Sequence, residues 1–181
     1  MRDSDRRRFL RLVGTASVVG LAGCGGGGNG GGNGNGDGEN GGQESLSGED
    51  YPAVDQWLTE EDVGAADDTY DGTIVNRQDQ DTVEVGVGTE GNGGFFAFGP
   101  SAVAVSTGTT VRWVWTGEGG AHNVVADPDS QIGETDFEFD SGDPVTEEGT
   151  EFTQTFDETG TALYHCVPHL SLGMKGAVVV L

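Results

Sequence analysis

The sequence predicts an all-β domain, a sandwich or barrel, over residues 70–181. Three observations carry that reading. First, the chain after Tyr70 breaks into short runs rich in β-branched and aromatic residues, each bounded by Gly, Asp, Pro or Asn. Second, turn signals recur about every ten residues, the spacing of a sheet protein rather than of alternating strands and helices. Third, Val111, Trp113 and Trp115 alternate with Arg112 and Val114, and Phe152 and Phe156 are interleaved with Thr153 and Thr155, as in strands with one buried face. The predicted strands are "TIVN", "TVEVGVG", "GFFAFGP", "AVAVSTG", "TTVRWVWTG", "HNVVADP", "TDFEFDSG", "TEFTQTFDETG", "TALYHC" and "GAVVVL". "GNGG" and "GEGG" read as hairpin turns.

What precedes the sheet divides into three parts. Residues 1–23 read as a signal peptide, with a basic start and a short apolar run from Leu12 to Ala22. That run is too short to span a bilayer comfortably. Arg6-Arg7-Arg8-Phe9-Leu10 resembles the twin-arginine export motif, and Leu21-Ala22-Gly23-Cys24 resembles a lipobox, which makes Cys24 the expected lipid attachment point. Residues 24–47 follow as a tether, since "GGGGNGGGNGNGDGENGG" cannot bury apolar surface. A disulfide from Cys24 to Cys166, the only other cysteine, is the alternative, and a glycine tether fits a lipid anchor better than a staple.

Residues 48–69 form a pre-segment. Val54, Trp57 and Leu58 stand at i, i+3 and i+4, which predicts a short amphipathic helix within Tyr51–Gly64, ending at the glycine. Its expected role is packing.

The charge narrows the partners. Eight basic residues face 31 acidic ones, a net charge of −23, and five of the eight arginines and lysines lie in the first eleven residues. Nucleic acid is excluded as a partner. The scattered acids read as a solvated surface of the kind found in high-salt organisms.

Chemistry concentrates in one place. "LYHCVPHLSLGM", Leu163–Met174, holds two of three histidines, one of two cysteines and one of two methionines. Cys166, His169 and Met174 fall at spacing C-x2-H-x4-M, on a loop that Pro168 and Gly173 force to turn. A fourth donor comes from elsewhere, and His122 in "AHNVV" is the candidate. One thiolate, one thioether and two imidazoles suit copper. Zinc also accepts Cys and His, but structural zinc sites rarely recruit Met. Singly, each residue has an ordinary alternative: a core methionine, a surface histidine, an inert buried thiol.

"CVPHLSLGM" together with "HNVV" resembles the plastocyanin-type cupredoxins, over roughly Tyr70 to Leu181. The signal, tether and acidity are similar to the haloarchaeal, membrane-anchored branch of that family. The resemblance implies a cupredoxin-like Greek-key β-sandwich and one type 1 copper per chain, held by His122, Cys166, His169 and Met174. It implies that Asn123 steadies the ligand loops by hydrogen bonds near the cysteine sulfur, although Asn123 would serve equally as a turn residue. It further implies a one-electron carrier, lipid-anchored on the extracellular face, that works with redox proteins or respiratory complexes of the membrane. Two electron routes are expected: through His169, amid outward-facing Pro168, Leu170 and Leu172, and through His165, which strand alternation turns to the face opposite Cys166.

Enzymes that pair a blue copper with a catalytic copper need several more histidines than the three present, and a dinuclear copper centre of the CuA type needs two neighbouring cysteines. The remaining alternative is copper storage or delivery, for which exposed, flexible Met- or Cys-rich sites are usual.

Overall fold

The computed structural model describes residues 44–127 and 135–181. The signal-like segment, Cys24 and the glycine tether lie outside the described residues. In chain order the elements are β1 (Leu46–Ser47), a short 3-10 turn, α1 (Pro52–Thr59), β2 (Thr73–Asn76), β3 (Thr82–Gly91), β4 (Gly94–Gly99), β5 (Ala102–Val105), β6 (Thr109–Trp115), β7 (Val125–Ala126), β8 (Phe139–Asp140), β9 (Glu151–Phe156), β10 (Gly160–His165), a second 3-10 turn (Val167–Leu172) and β11 (Lys175–Val180).

The strands form the two layers of the expected Greek-key β-sandwich. One sheet runs β1-β2-β5-β11-β10-β7-β8 and the other β4-β3-β6-β9. Between them lies the main core, in which Val85, Phe98, Val111, Trp113, Phe156, Tyr164 and Val178 are sealed from solvent. Trp113 is its hub, meeting Tyr164 edge-on and Phe139 and Phe152 at a tilt, arrangements that aromatic quadrupoles favour.

The predicted strands from "TIVN" to "TTVRWVWTG", and the last three, are present. "HNVVADP" and "TDFEFDSG" contract to two-residue strands, Val125–Ala126 and Phe139–Asp140. "GNGG" closes the β3–β4 hairpin, with Asn92 at φ 55°. "GEGG" is not a hairpin: β6 pairs with β3 and β9, and Gly117–Gly120 carries the chain across to the other sheet.

The pre-segment builds a second core on the outer face of the larger sheet. Val54, Trp57 and Leu58 of α1 pack with Ile74, Ala102, Ala104, Leu163, Ala177 and Val179. The helix is shorter than predicted, because Glu60 turns extended at ψ 152° and ends it four residues before Gly64. The last carbonyls of the helix are met by a side chain from β11. Lys175 Nζ donates to Trp57 O at 3.2 Å and Glu60 O at 3.0 Å, a cation placed where the helix dipole is negative.

Candidate metal centre

The chain brings His122, Cys166 and His169 together at one end of the sandwich, all three donor atoms within 4.8 Å of one another. Cys166 follows the last residue of β10, and Met174 precedes the first residue of β11. These strands are antiparallel neighbours, with His165 opposite Lys175, so the loop between them must fold back on itself. It does so through Cys166 N–H to Met174 O at 3.1 Å, His169 N–H to Cys166 O at 3.1 Å and Met174 N–H to His169 O at 3.2 Å. Gly173 makes the final turn at φ 95°, and a Cβ there would come within 2.3 Å of Ala66 O. Both facts require glycine.

His122 arrives from the opposite direction. It bridges to Val145 by two 2.9 Å backbone bonds, and its carbonyl accepts the Trp115 indole N–H at 3.0 Å. Its Nε2 lies 2.9 Å from Glu118 O. A carbonyl can only accept, so Nε2 carries the proton and Nδ1 turns its lone pair inward, the outer-sphere bond that orients a metal-binding histidine.

The three donor atoms make a nearly regular triangle. His122 Nδ1 and His169 Nδ1 are 3.0 Å apart, and Cys166 Sγ is 3.6 Å from the first and 3.5 Å from the second. A point in their plane lies about 2.0 Å from all three, the length of a metal bond to imidazole and slightly short of one to thiolate. Met174 is fully buried in the same core as Cys166. Thioether and thiolate with two imidazoles fit copper. Burial lowers the pKa of both histidines, which keeps the imidazoles neutral and able to coordinate. Burial pushes the Cys166 thiol up to about 11, against backbone N–H groups of Asn123 and His169 that pull it down. A metal must therefore displace the thiol proton to bind.

The residues around the triangle sort differently from the sequence expectation in part. Asn123 Oδ1 accepts the Val167 N–H at 2.9 Å and its Nδ2 donates to Gly142 O at 3.3 Å, so it joins the His122 strand to the residue after Cys166. Phe96, for which the sequence carries no site signal, lies against His169 with ring centroids 4.7 Å apart. Pro168 and Leu172 are exposed, and so is Val167, at 54%. Leu170 is not outward-facing: it packs with the second core, and its carbonyl accepts the Ala65 N–H at 3.4 Å. His165 does turn away from the Cys166 core, but it is only 8% exposed and meets the Trp57 ring edge-on at 6.4 Å.

Residues 83–181 match the family described as copper binding proteins, plastocyanin/azurin family. A halocyanin of Natronomonas pharaonis is 51% identical over 181 residues, 99% of each chain. A plastocyanin of Scenedesmus fuscus is 35% identical over 100 residues, 55% of this chain and 97% of its own. Among solved structures, a mutant plastocyanin of fern aligns at 28% identity with a TM-score of 0.42, over 55% of this chain and 100% of its own. A family match from the second residue of β3 through β11, and a likeness to a halocyanin over 99% of the chain, meet the converging donors of the loop: the chain belongs to the plastocyanin/azurin family of copper-binding proteins, the cupredoxins.

Proposed function

We propose that the protein is a membrane-anchored one-electron carrier, with one type 1 copper held by His122, Cys166, His169 and Met174. The observation that carries this is the triangle of two imidazole nitrogens and a thiol sulfur, with sides of 3.0, 3.5 and 3.6 Å. Copper bound there supplies one-electron Cu(I)/Cu(II) chemistry.

The protein's own part is to hold the donors still. His122 is fixed by Glu118 O and by the Val145 bridge, Cys166 by its backbone N–H hydrogen bond to Met174 O, and His169 by its backbone N–H hydrogen bond to Cys166 O and by the Phe96 ring. Donors that cannot move require little reorganisation when an electron arrives or leaves. All four are side chains, so no position is open to a substrate, and the protein is a carrier rather than an enzyme.

Val167, Pro168 and Leu172 form an apolar rim on the ligand loop, beside half-buried His169. A redox partner docks there and exchanges electrons through the imidazole. A second route would pass from Cys166 to His165 and on to Trp57, which covers it.

Residues 1–23 act as a twin-arginine lipoprotein signal, Cys24 carries the lipid, and the chain from Cys24 tethers residues 70–181, the copper domain, to the outer face of the membrane; the tether stops short of the expected residue 47, because Leu46 and Ser47 pair with β2 as β1. The full-length likeness to a halocyanin, which includes this N-terminal part, supports that reading. No helix among the described residues is long and apolar enough to cross a membrane. The partners are redox proteins or complexes of the respiratory chain.

The test is to add Cu(II) to the purified protein and record its visible absorption and EPR spectra. An intense thiolate-to-copper band with narrow copper hyperfine splitting is expected. A pale sample with an ordinary Cu(II) signal would overturn the reading in favour of storage or delivery.

A further inference from the structure

Met174 sits between two residues that are each tied to distant parts of the chain. On one side is Gly173. Its carbonyl accepts from Asn92 Nδ2 at 3.0 Å, across 81 residues of sequence. The same amide nitrogen donates to Phe96 O at 2.8 Å and lies 3.2 Å from Asp67 Oδ1, so one of its two hydrogens is shared between acceptors. Asn92 is locked to the pre-segment a second time: its backbone N–H donates to Asp68 Oδ1 at 2.6 Å, and its Oδ1 accepts the Asp68 N–H at 2.8 Å. One side chain thus joins the β3–β4 hairpin, the pre-segment and the ligand loop.

On the other side is Lys175, 0% exposed. Besides the two helix carbonyls, its Nζ lies 3.4 Å from Glu60 Oε1 and 4.5 Å from the centre of the Trp57 ring. A lysine is almost never fully buried without such partners. The helix replies with the Trp57 indole N–H, which approaches Tyr164 O at 3.3 Å and Gly176 O at 3.2 Å, one on each strand flanking the loop.

We propose that Asn92 and Lys175 are positioning residues for Met174: they fasten its two neighbours to the pre-segment and the β3–β4 hairpin, and so fix where its thioether stands relative to the His122–Cys166–His169 triangle. The inference rests on the copper reading above and goes beyond it, because neither residue touches the donors. A thioether would be a weak donor to copper here, and the potential of such a site would depend on how closely it approaches. A thioether held less firmly stabilises Cu(II) less, and the potential rises.

The experiment compares the wild-type full chain with Asn92→Gly and Lys175→Met. Glycine keeps the left-handed turn at position 92 and removes only the side chain. Ile74→Val, which thins the second core away from the loop, controls for lost stability alone. Two readouts are taken: reduction potential and absorption spectrum with copper bound, and amide hydrogen exchange of Gly173 and Met174 in the metal-free protein. The expectation is that both variants remain blue with altered band ratios and a raised potential, a tenfold change in the Cu(I)-to-Cu(II) affinity ratio reading as about 59 mV. Exchange at Gly173 and Met174 speeds up, and Ile74→Val moves neither readout. Should Lys175→Met not fold, Asn92→Gly decides alone. Potential, spectrum and exchange all unchanged, or shifted equally by Ile74→Val, would overturn the proposal. A wild-type protein that never turns blue would instead overturn the copper reading, and the exchange data would still judge the hold on the loop.

Discussion

The ring of Phe96 lies against the imidazole of His169, centroid to centroid 4.7 Å and tilted by 36°. Phe96 comes from β4 and His169 from the loop between β10 and β11, so a residue of the smaller sheet limits the rotation of a proposed ligand borne by the larger one. Such contacts are worth about 0.5–1.5 kcal/mol beyond area burial. Phe96→Leu should weaken copper binding by roughly two- to tenfold, measured by competition against a Cu(I) chelator, with the blue band retained.

Leu172 is 42% exposed on the loop that carries His169. Leu172→Glu should slow electron exchange with a physiological partner by about tenfold while leaving absorption and potential near wild type. A few central contacts carry most of the energy of an interface, each worth more than about 1 kcal/mol, and Leu172 beside His169 is placed to be one. Stopped-flow reduction kinetics would check it. Unchanged rates would move the docking face away from this loop.

Copper should stabilise the fold as well as serve it. Binding to the native state alone adds about 4 kcal/mol at a thousandfold excess over the dissociation constant, and each kcal/mol is worth a few degrees in a domain of this size. Calorimetry should show Tm falling by on the order of 10 °C when copper is removed. Cys166→Ser should lose the blue band and most of that gain.

Asp67 gives a prediction about pH. It is 4% exposed, Oδ1 accepts from Thr69 N–H, Thr69 Oγ1 and Asn92 Nδ2, and Oδ2 has no hydrogen-bond partner among the described residues. Burial raises its pKa in spite of those bonds. The native state thus holds this proton more tightly than the unfolded chain, and its contribution to stability is lost as pH rises from about 4 through the raised value. Urea denaturation across pH 4 to 7 should show wild type losing stability relative to Asp67→Asn. The opposite trend would mean that the carboxylate is held by Lys175 nearby.

The second core can be tested directly. Leu58 is fully buried among Ile74, Leu163 and Ala177, and Leu58→Ala should cost about 2–5 kcal/mol, read by chemical denaturation. A loss below 1 kcal/mol would mean that the pre-segment is an appendage.

The ligand loop was legible in the sequence because its chemistry is local. Cys166, His169 and Met174 lie within nine residues, and a rare donor set announces itself wherever it occurs. His122 was legible by scarcity, since three histidines leave few choices. The hold on the loop was not legible. Asn92 looks like any hairpin asparagine, and it does that job at φ 55°, while its side chain acts 81 residues away. Lys175 heads an apolar strand, and nothing local says that α1 will cover it. Leu170 reads as outward-facing for the same reason: the surface it meets belongs to the pre-segment. Gly64 is the local stop signal for the helix, whereas in the fold Glu60 turns the chain where Lys175 meets the last carbonyls.

β11 is the last of these strands to leave the ribosome, yet it lies inside the larger sheet, parallel to β5 on one side and antiparallel to β10 on the other. Until it arrives, the sheet is two separate pieces with unpaired edges, an aggregation hazard while it lasts. Its insertion closes long-range pairings that span most of the domain, the kind of topology that folds slowly. Met174 stands at the threshold of that strand. On the proposed ligand set, the strand that joins the two pieces of sheet is therefore also the strand that seats Met174, so the metal site and the sheet are completed by the same segment.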